Sequence, residues 1–153
     1  MVYNLLFRLT GDFHLSEDLF QETYMRVYKG LSSYAGKSKP STWVYSIALN
    51  VFKEYARKKR WRLLNADELK KNNSNTVDNK SPEDLLIIDE EKRSIQKKLN
   101  VLKGSLKIPV VLYYIERLSI KEIKEITRRS EPDIKVSLYR ARKILRKKWG
   151  TDQ

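Results

Sequence analysis

Residues 118–149, LSIKEIKEITRRSEPDIKVSLYRARKILRKKW, read as two short helices, each with its own start signal, joined by a turn of about four residues. Ser119 is followed three positions later by Glu122, and Ser130 by Asp133. In each pair the serine oxygen accepts from an orphan first-turn N–H, and the acid suits the positive end of the helix dipole. Pro132 falls in a first turn, where it removes no helical hydrogen bond. Ile120, Ile123, Ile126, Ile134, Leu138, Ala141 and Leu145 recur at helical spacing and are expected to face inward. Lys135, Tyr139, Arg140, Arg142, Lys143, Arg146 and Lys147 are left for the other faces of the second helix. Two capped helices, the second basic, predict a helix-turn-helix that places its second helix in a DNA groove. A solvated amphipathic helix is the plainer alternative.

Charge points the same way. The 153 residues carry a formal net charge of +13 and a pI of about 9.8, so a polyanionic partner is expected. Residues 106–153 hold 13 basic and 6 acidic side chains, and residues 1–60 hold 10 and 5. Residues 61–105 are nearly balanced, with 9 and 8. The basic excess therefore sits in two separate places.

The chain has no Cys and a single His, which excludes disulfides, thiolate metal sites and histidine clusters. It shows no nucleophile–base pair and no glycine loop that would cradle phosphate. No cofactor, no metal and no enzymatic activity are expected. No apolar run approaches the roughly 20 residues that span a bilayer, and no signal-peptide pattern opens the sequence. These features predict a soluble protein without membrane insertion, acting in the cytoplasm.

Few glycines and prolines and no sustained period-two alternation predict an all-α chain. Residues 1–10 read as a short apolar helix stopped by Gly11. Ser16 is expected to cap a second helix whose Leu19, Phe20, Thr23, Tyr24, Val27, Tyr28 and Leu31 form a broad buried stripe. A third helix is expected from Ser41 or Thr42 to about Arg62, its apolar stripe running from Trp43 and Val44 to Tyr55 and Ala56. Residues 65–80, rich in Asn, read as a flexible linker. Ser81-Pro82-Glu83-Asp84 is a further helix start, with a stop expected near Lys103. Residues 107–117 read as a short apolar helix. The expectation is two small helical domains, residues 1–64 and 81–153, joined by that linker.

Aromatic and basic side chains cluster between Tyr34 and Arg62. Tyr34, Trp43, Tyr45, Phe52, Tyr55 and Trp61 sit among Lys37, Lys39, Lys53, Arg57, Lys58, Lys59, Arg60 and Arg62. Single-stranded nucleic acid is held by this mixture, because aromatic faces stack on unpaired bases and cations neutralise phosphates. Phe52 and Tyr55 lie on the apolar stripe and are expected in the core; Trp43 is open between the two roles.

Taken together, the segments resemble a small two-domain sigma factor of bacterial RNA polymerase, of the extracytoplasmic-function type. SEDLFQETYMRVYKGL and STWVYSIALNVFKEYARKKR are similar to region two of that family. LSIKEIKEI and IKVSLYRARK are similar to region four. The resemblance implies that Asp18, Gln21, Glu22 and Arg26 dock on RNA polymerase core. It implies that Tyr34, Lys37, Trp43, Asn50, Arg57 and Arg60 meet the minus-ten element as an opened strand. Lys135, Val136, Tyr139, Arg140, Arg142 and Lys143 would meet the minus-thirty-five element as duplex. Promoter DNA, RNA polymerase core and an anti-sigma factor are the implied partners. The family's first helix usually starts earlier than Met1 does here. Its common turn glycine is replaced by Thr127-Arg128-Arg129, and Lys124 stands where it has alanine. A stand-alone helix-turn-helix regulator, with residues 1–64 as a dimerisation or effector domain, is the competing expectation. A nucleoid or RNA-binding protein acting through charge alone is a third.

Overall fold

The computed structural model describes residues 1–69 and 89–150. They form seven α-helices, with no strand among the described residues: α1 (Val2–Thr10), α2 (Phe13–Gly30), α3 (Pro40–Leu69), α4 (Glu90–Asn100), α5 (Gly104–Val110), α6 (Ile120–Thr127) and α7 (Glu131–Trp149). A 3-10 turn, Leu31–Ser33, follows α2, and a π turn, Val111–Ile115, extends α5. The all-α expectation holds.

α1 ends as the sequence predicts. Gly11 adopts φ 70°, a left-handed cap that glycine enters without a Cβ penalty, and its N–H donates to Phe7 O. The start of α2 differs from expectation. Asp12, not Ser16, is the cap, its carboxylate accepting from Leu15 N at 3.0 Å. Ser16 is buried inside the helix, 2.8 Å from the Thr10 hydroxyl.

The stripe on α2 is also corrected. Leu19 and Thr23 are buried, but Phe20, Tyr24, Tyr28 and Leu31 are exposed. Leu15, Leu19 and Thr23, four residues apart, are the inward line. The aromatics lie roughly a quarter-turn or more away from it. α3 is longer than expected: it begins at Pro40 and continues past residue 64 to Leu69. Residues 70–80 of the expected linker, and the helix start at 81–84, lie outside the described residues.

In the C-terminal part both serine caps form. Ser119 Oγ accepts from Glu122 N while Glu122 reaches back to Ser119 N at 2.8 Å, a complete capping box. Ser130 Oγ accepts from Asp133 N. Arg128, where glycine would be favoured, takes φ 57° at the end of α6. Ile123, Ile126, Ile134, Leu138 and Ala141 are buried as predicted, and Ile120 and Leu145 pack against them. The apolar helix expected over 107–117 is split between α5 and the π turn.

The two halves pack together. α1 contacts α4, α5 and the π turn, and α3 packs on α6, so a single apolar cluster runs from Leu5 and Leu6 through Leu49 to Leu112 and Ile123. Polar bonds cross the same boundary. Gln96 Nε2 donates to Arg8 O at 3.2 Å, and Lys107 Nζ to Leu9 O at 3.1 Å. These carbonyls end α1, where the helix dipole is negative and a cation is favoured. Burial pushes the Lys107 amine below its ordinary value. The Tyr45 hydroxyl donates to Glu116 Oε2 at 2.6 Å, and Lys39 pairs with Glu122 at 3.2 Å.

Candidate nucleic-acid interface

α7 divides cleanly into two faces. Ile134, Leu138 and Ala141 are fully or almost fully buried, while Lys135, Val136, Tyr139, Arg140, Arg142 and Lys143 are all exposed. Val136, Tyr139, Arg140 and Lys143 follow the i, i+3, i+4, i+7 pattern and so share one surface. Tyr139 is 60% exposed and Val136 44%, too much for core residues of a packed helix. Arg142 sits to one side and donates to the Tyr114 hydroxyl at 2.9 Å. A protruding helix with cations, one aromatic ring and one branched apolar side chain suits a major groove. Arg reads guanine, and apolar groups meet the thymine methyl.

The second surface is built by the α2–α3 loop and the outward side of α3. Tyr34 is half-buried and lies against Trp43, ring centroids 4.8 Å apart and planes tilted by 34°. Its hydroxyl donates to Ser38 O, closing the loop on itself. Gly30 ends α2 beneath Trp43, and a methyl added there would come within 3.0 Å of the indole. Trp43, Asn50 and Arg57 are spaced by seven residues, two helical turns, and therefore line one side of α3. Asn50, Arg57 and Arg60 are exposed, as is Lys37 in the loop. Farther along, Arg57, Lys58, Trp61 and Arg62 line a shallow open pocket, with Trp61 66% exposed. Tyr45, Phe52 and Tyr55, by contrast, belong to the apolar cluster or pack on it. The loop and α3 thus present stacking surface followed by a track of cations.

The outer face of α2 is the third surface. Asp18, Gln21 and Glu22 are exposed. Arg26 is held within the chain: it bonds Glu22 at 2.8 Å and clasps Glu54 of α3 with both Nη atoms at 3.0 and 2.9 Å. These bonds push the Arg26 guanidinium up, and the Glu54 carboxyl is held low by the same pair. Beside that polar face runs the exposed line Phe20, Tyr24 and Tyr28, which sequence periodicity assigned to the core. Tyr114 beside Arg142 also went unmarked in the sequence, because nothing local signals a bond 28 residues apart. No helix is long and apolar enough to cross a membrane, and no group of metal-ligating side chains is found, both among the described residues.

Comparison with known proteins identifies the family. Residues 1–62 match the family Sigma-70 region 2. The chain is 32% identical over 152 residues to the ECF RNA polymerase sigma factor SigW of Bacillus subtilis (strain 168), covering 95% of this chain and 81% of that one. It is 35% identical over 146 residues to SigM of the same organism, covering 95% and 86%. Among solved structures, the sigma factor RpoE in complex with the anti-sigma factor NepR from Bartonella quintana shares the fold. The TM-score there is 0.77 at 20% identity, covering 99% of this chain and 91% of that one. The region 2 match and relatives similar over nearly the whole chain place this protein in the ECF RNA polymerase sigma factor family.

Proposed function

We infer that the chain directs RNA polymerase core to promoters by touching DNA twice, in two physical states. The outer face of α7, with Lys135, Val136, Tyr139, Arg140, Arg142 and Lys143, takes the minus-thirty-five element as duplex. Tyr34, Lys37, Trp43, Asn50, Arg57 and Arg60 take the minus-ten element as an opened strand. The observation that carries the reading is the Tyr34–Trp43 pair, a half-buried aromatic step at the head of an exposed cationic helix side. A stacked base is worth roughly 1–3 kcal/mol, comparable to the few kcal/mol needed to unstack one. Capture of bases can therefore offset local melting, and the polymerase supplies the chemistry. The stand-alone regulator needs no such aromatic–cationic surface.

Asp18, Gln21 and Glu22 form the face for RNA polymerase core, with Arg26 stiffening α2 against α3 through Glu54. Phe20, Tyr24 and Tyr28 add apolar area to that face, as interface centres favour aromatics. An anti-sigma factor is the second protein partner, as it is for the solved neighbour. The site of action is the cytoplasm, where polymerase and chromosome are. The working domains are residues 1–64 and 81–153, with α3 extending the first of them to Leu69.

Spacing requires the packed arrangement to open. A packed chain of this length is about 40 Å across. Promoter elements some 25 base pairs apart lie roughly 85 Å apart on straight B-form DNA. The α3–α6 contact therefore parts when both elements are engaged.

Binding of the fluorescently labelled full chain to purified RNA polymerase core tests the reading. Saturable binding, weakened by Tyr24→Ala and Tyr28→Ala together, is expected. No binding by the unmodified chain would sink it.

A further inference from the structure

Arg129 belongs to the Arg128–Arg129 pair in the turn before α7, where charge alone suggests a phosphate contact. Its geometry shows a different use. Nε donates to Asp133 Oδ2 at 2.7 Å, Nη1 to the Ser105 carbonyl at 2.8 Å, and Nη2 to Ser137 Oγ. All three guanidinium nitrogens are thus engaged inside the protein. The acceptors lie in three places: the first turn of α5, the first turn of α7 and its second turn. Ser137 is buried and directly follows Val136 on the recognition helix. The Arg129 backbone N–H is also tied, to Thr127 Oγ1 at 3.3 Å.

We propose that Arg129 is a positioning residue for minus-thirty-five recognition, fixing the rotation of α7 against α5 without touching DNA. The proposal rests on the reading of α7 as the groove helix. A planar fork with three separate acceptors defines an orientation, which a single ammonium cannot do. Bidentate base contacts depend on that orientation, whereas attraction to phosphate scarcely does. Rotation of α7 would therefore erode sequence discrimination before it eroded total affinity.

The experiment selects duplexes from a random-sequence pool with the full chain, wild type and variants in parallel. The affinity for the winning duplex, for its single-base variants, and the salt dependence are then measured. In Arg129→Ala and Arg129→Lys, discrimination between the winner and its variants falls about tenfold or more, with the salt slope unchanged. Ser137→Ala, which removes one acceptor only, shifts discrimination in the same direction by less. A role confined to stability would lower the melting temperature and the active fraction but leave the affinity ratio intact, and that result overturns the proposal. A salt slope shallower by about one with discrimination preserved makes Arg129 a phosphate contact and overturns it too. No change in Arg129→Lys or Ser137→Ala, both expected to fold, likewise overturns it. Failure of the wild-type chain to enrich any motif would instead remove the groove-helix reading itself.

Discussion

Tyr34 and Trp43 form a ring pair across the junction of loop and helix, with centroids 4.8 Å apart. Gly30 lies beneath the pair, where a methyl would crowd the indole at 3.0 Å, and the Tyr34–Ser38 hydrogen bond fixes the tyrosine from the side. Replacing Trp43 with alanine removes a stacking face worth roughly 1–3 kcal/mol per base. Promoter opening by the assembled holoenzyme, followed by 2-aminopurine fluorescence at minus ten, falls about 5- to 150-fold. Duplex binding by α7 is unchanged, since the two surfaces are separate. Equal loss at both elements would mean that Trp43 acts through folding alone.

Arg140 and Arg142 look alike in the sequence and differ in the structure. Arg140 is exposed on the face shared with Val136 and Tyr139, whereas Arg142 is bonded to Tyr114. Arg140→Ala costs about 1–3 kcal/mol and relaxes specificity at one position of the duplex element. Arg142→Ala weakens all duplexes by a smaller and uniform amount. Titration calorimetry against single-base variants separates the two. A base-specific loss in Arg142→Ala would show that Tyr114 releases it on DNA.

The bond from the buried Tyr45 hydroxyl to Glu116 joins α3 to the segment just before α6. Burial and the carboxylate push the Tyr45 phenol well above its ordinary value, so it stays a donor at neutral pH. A hydrogen bond to a charged group is worth about 1.5–3 kcal/mol, and Tyr45→Phe loosens the packed arrangement by up to that amount. The absence of native Cys makes dye labelling at Glu17→Cys and Lys148→Cys unambiguous. Energy transfer in the free chain drops in Tyr45→Phe and rises in no variant that cuts this bond. Unaltered transfer would place the hold between the halves elsewhere.

Acid loosens the same boundary. The Ser119 N–H and then Lys39 hold the Glu122 carboxyl below the usual carboxylate range. A group with a lowered folded value is protonated first in the unfolded state, so its stabilisation is complete above about pH 4.3 and is lost as pH falls through the folded value. Thermal melts from pH 7 to pH 3 fall less steeply in Glu122→Gln than in the wild type. Identical slopes would show that Glu122 contributes nothing to the linkage.

The C-terminal half was legible because its signals are local. Ser119, Glu122 and Ser130 act within four residues, and the Ile123-to-Ala141 pattern is purely helical. The buried face of α2 departs from its periodicity for a physical reason. Phe20, Tyr24 and Tyr28 repeat at helical spacing as core residues do, yet they face outward. Periodicity reports that residues share a face, not which body covers it. The Ser16 cap failed because Asp12, beside the Gly11 stop, offers a carboxylate one turn earlier. The packing of α1 and α3 on the C-terminal helices had no sequence signal, since Tyr45–Glu116 and Lys107–Leu9 join residues 71 and 98 positions apart.

Transcription by bacterial RNA polymerase core on a pool of candidate promoters, with and without this chain, tests the central claim most directly. Initiation is expected at discrete start sites only when the chain is present, from promoters sharing two spaced motifs. Start sites unchanged by the chain, together with sequence-specific duplex binding by the free protein, would contradict it and leave a stand-alone regulator.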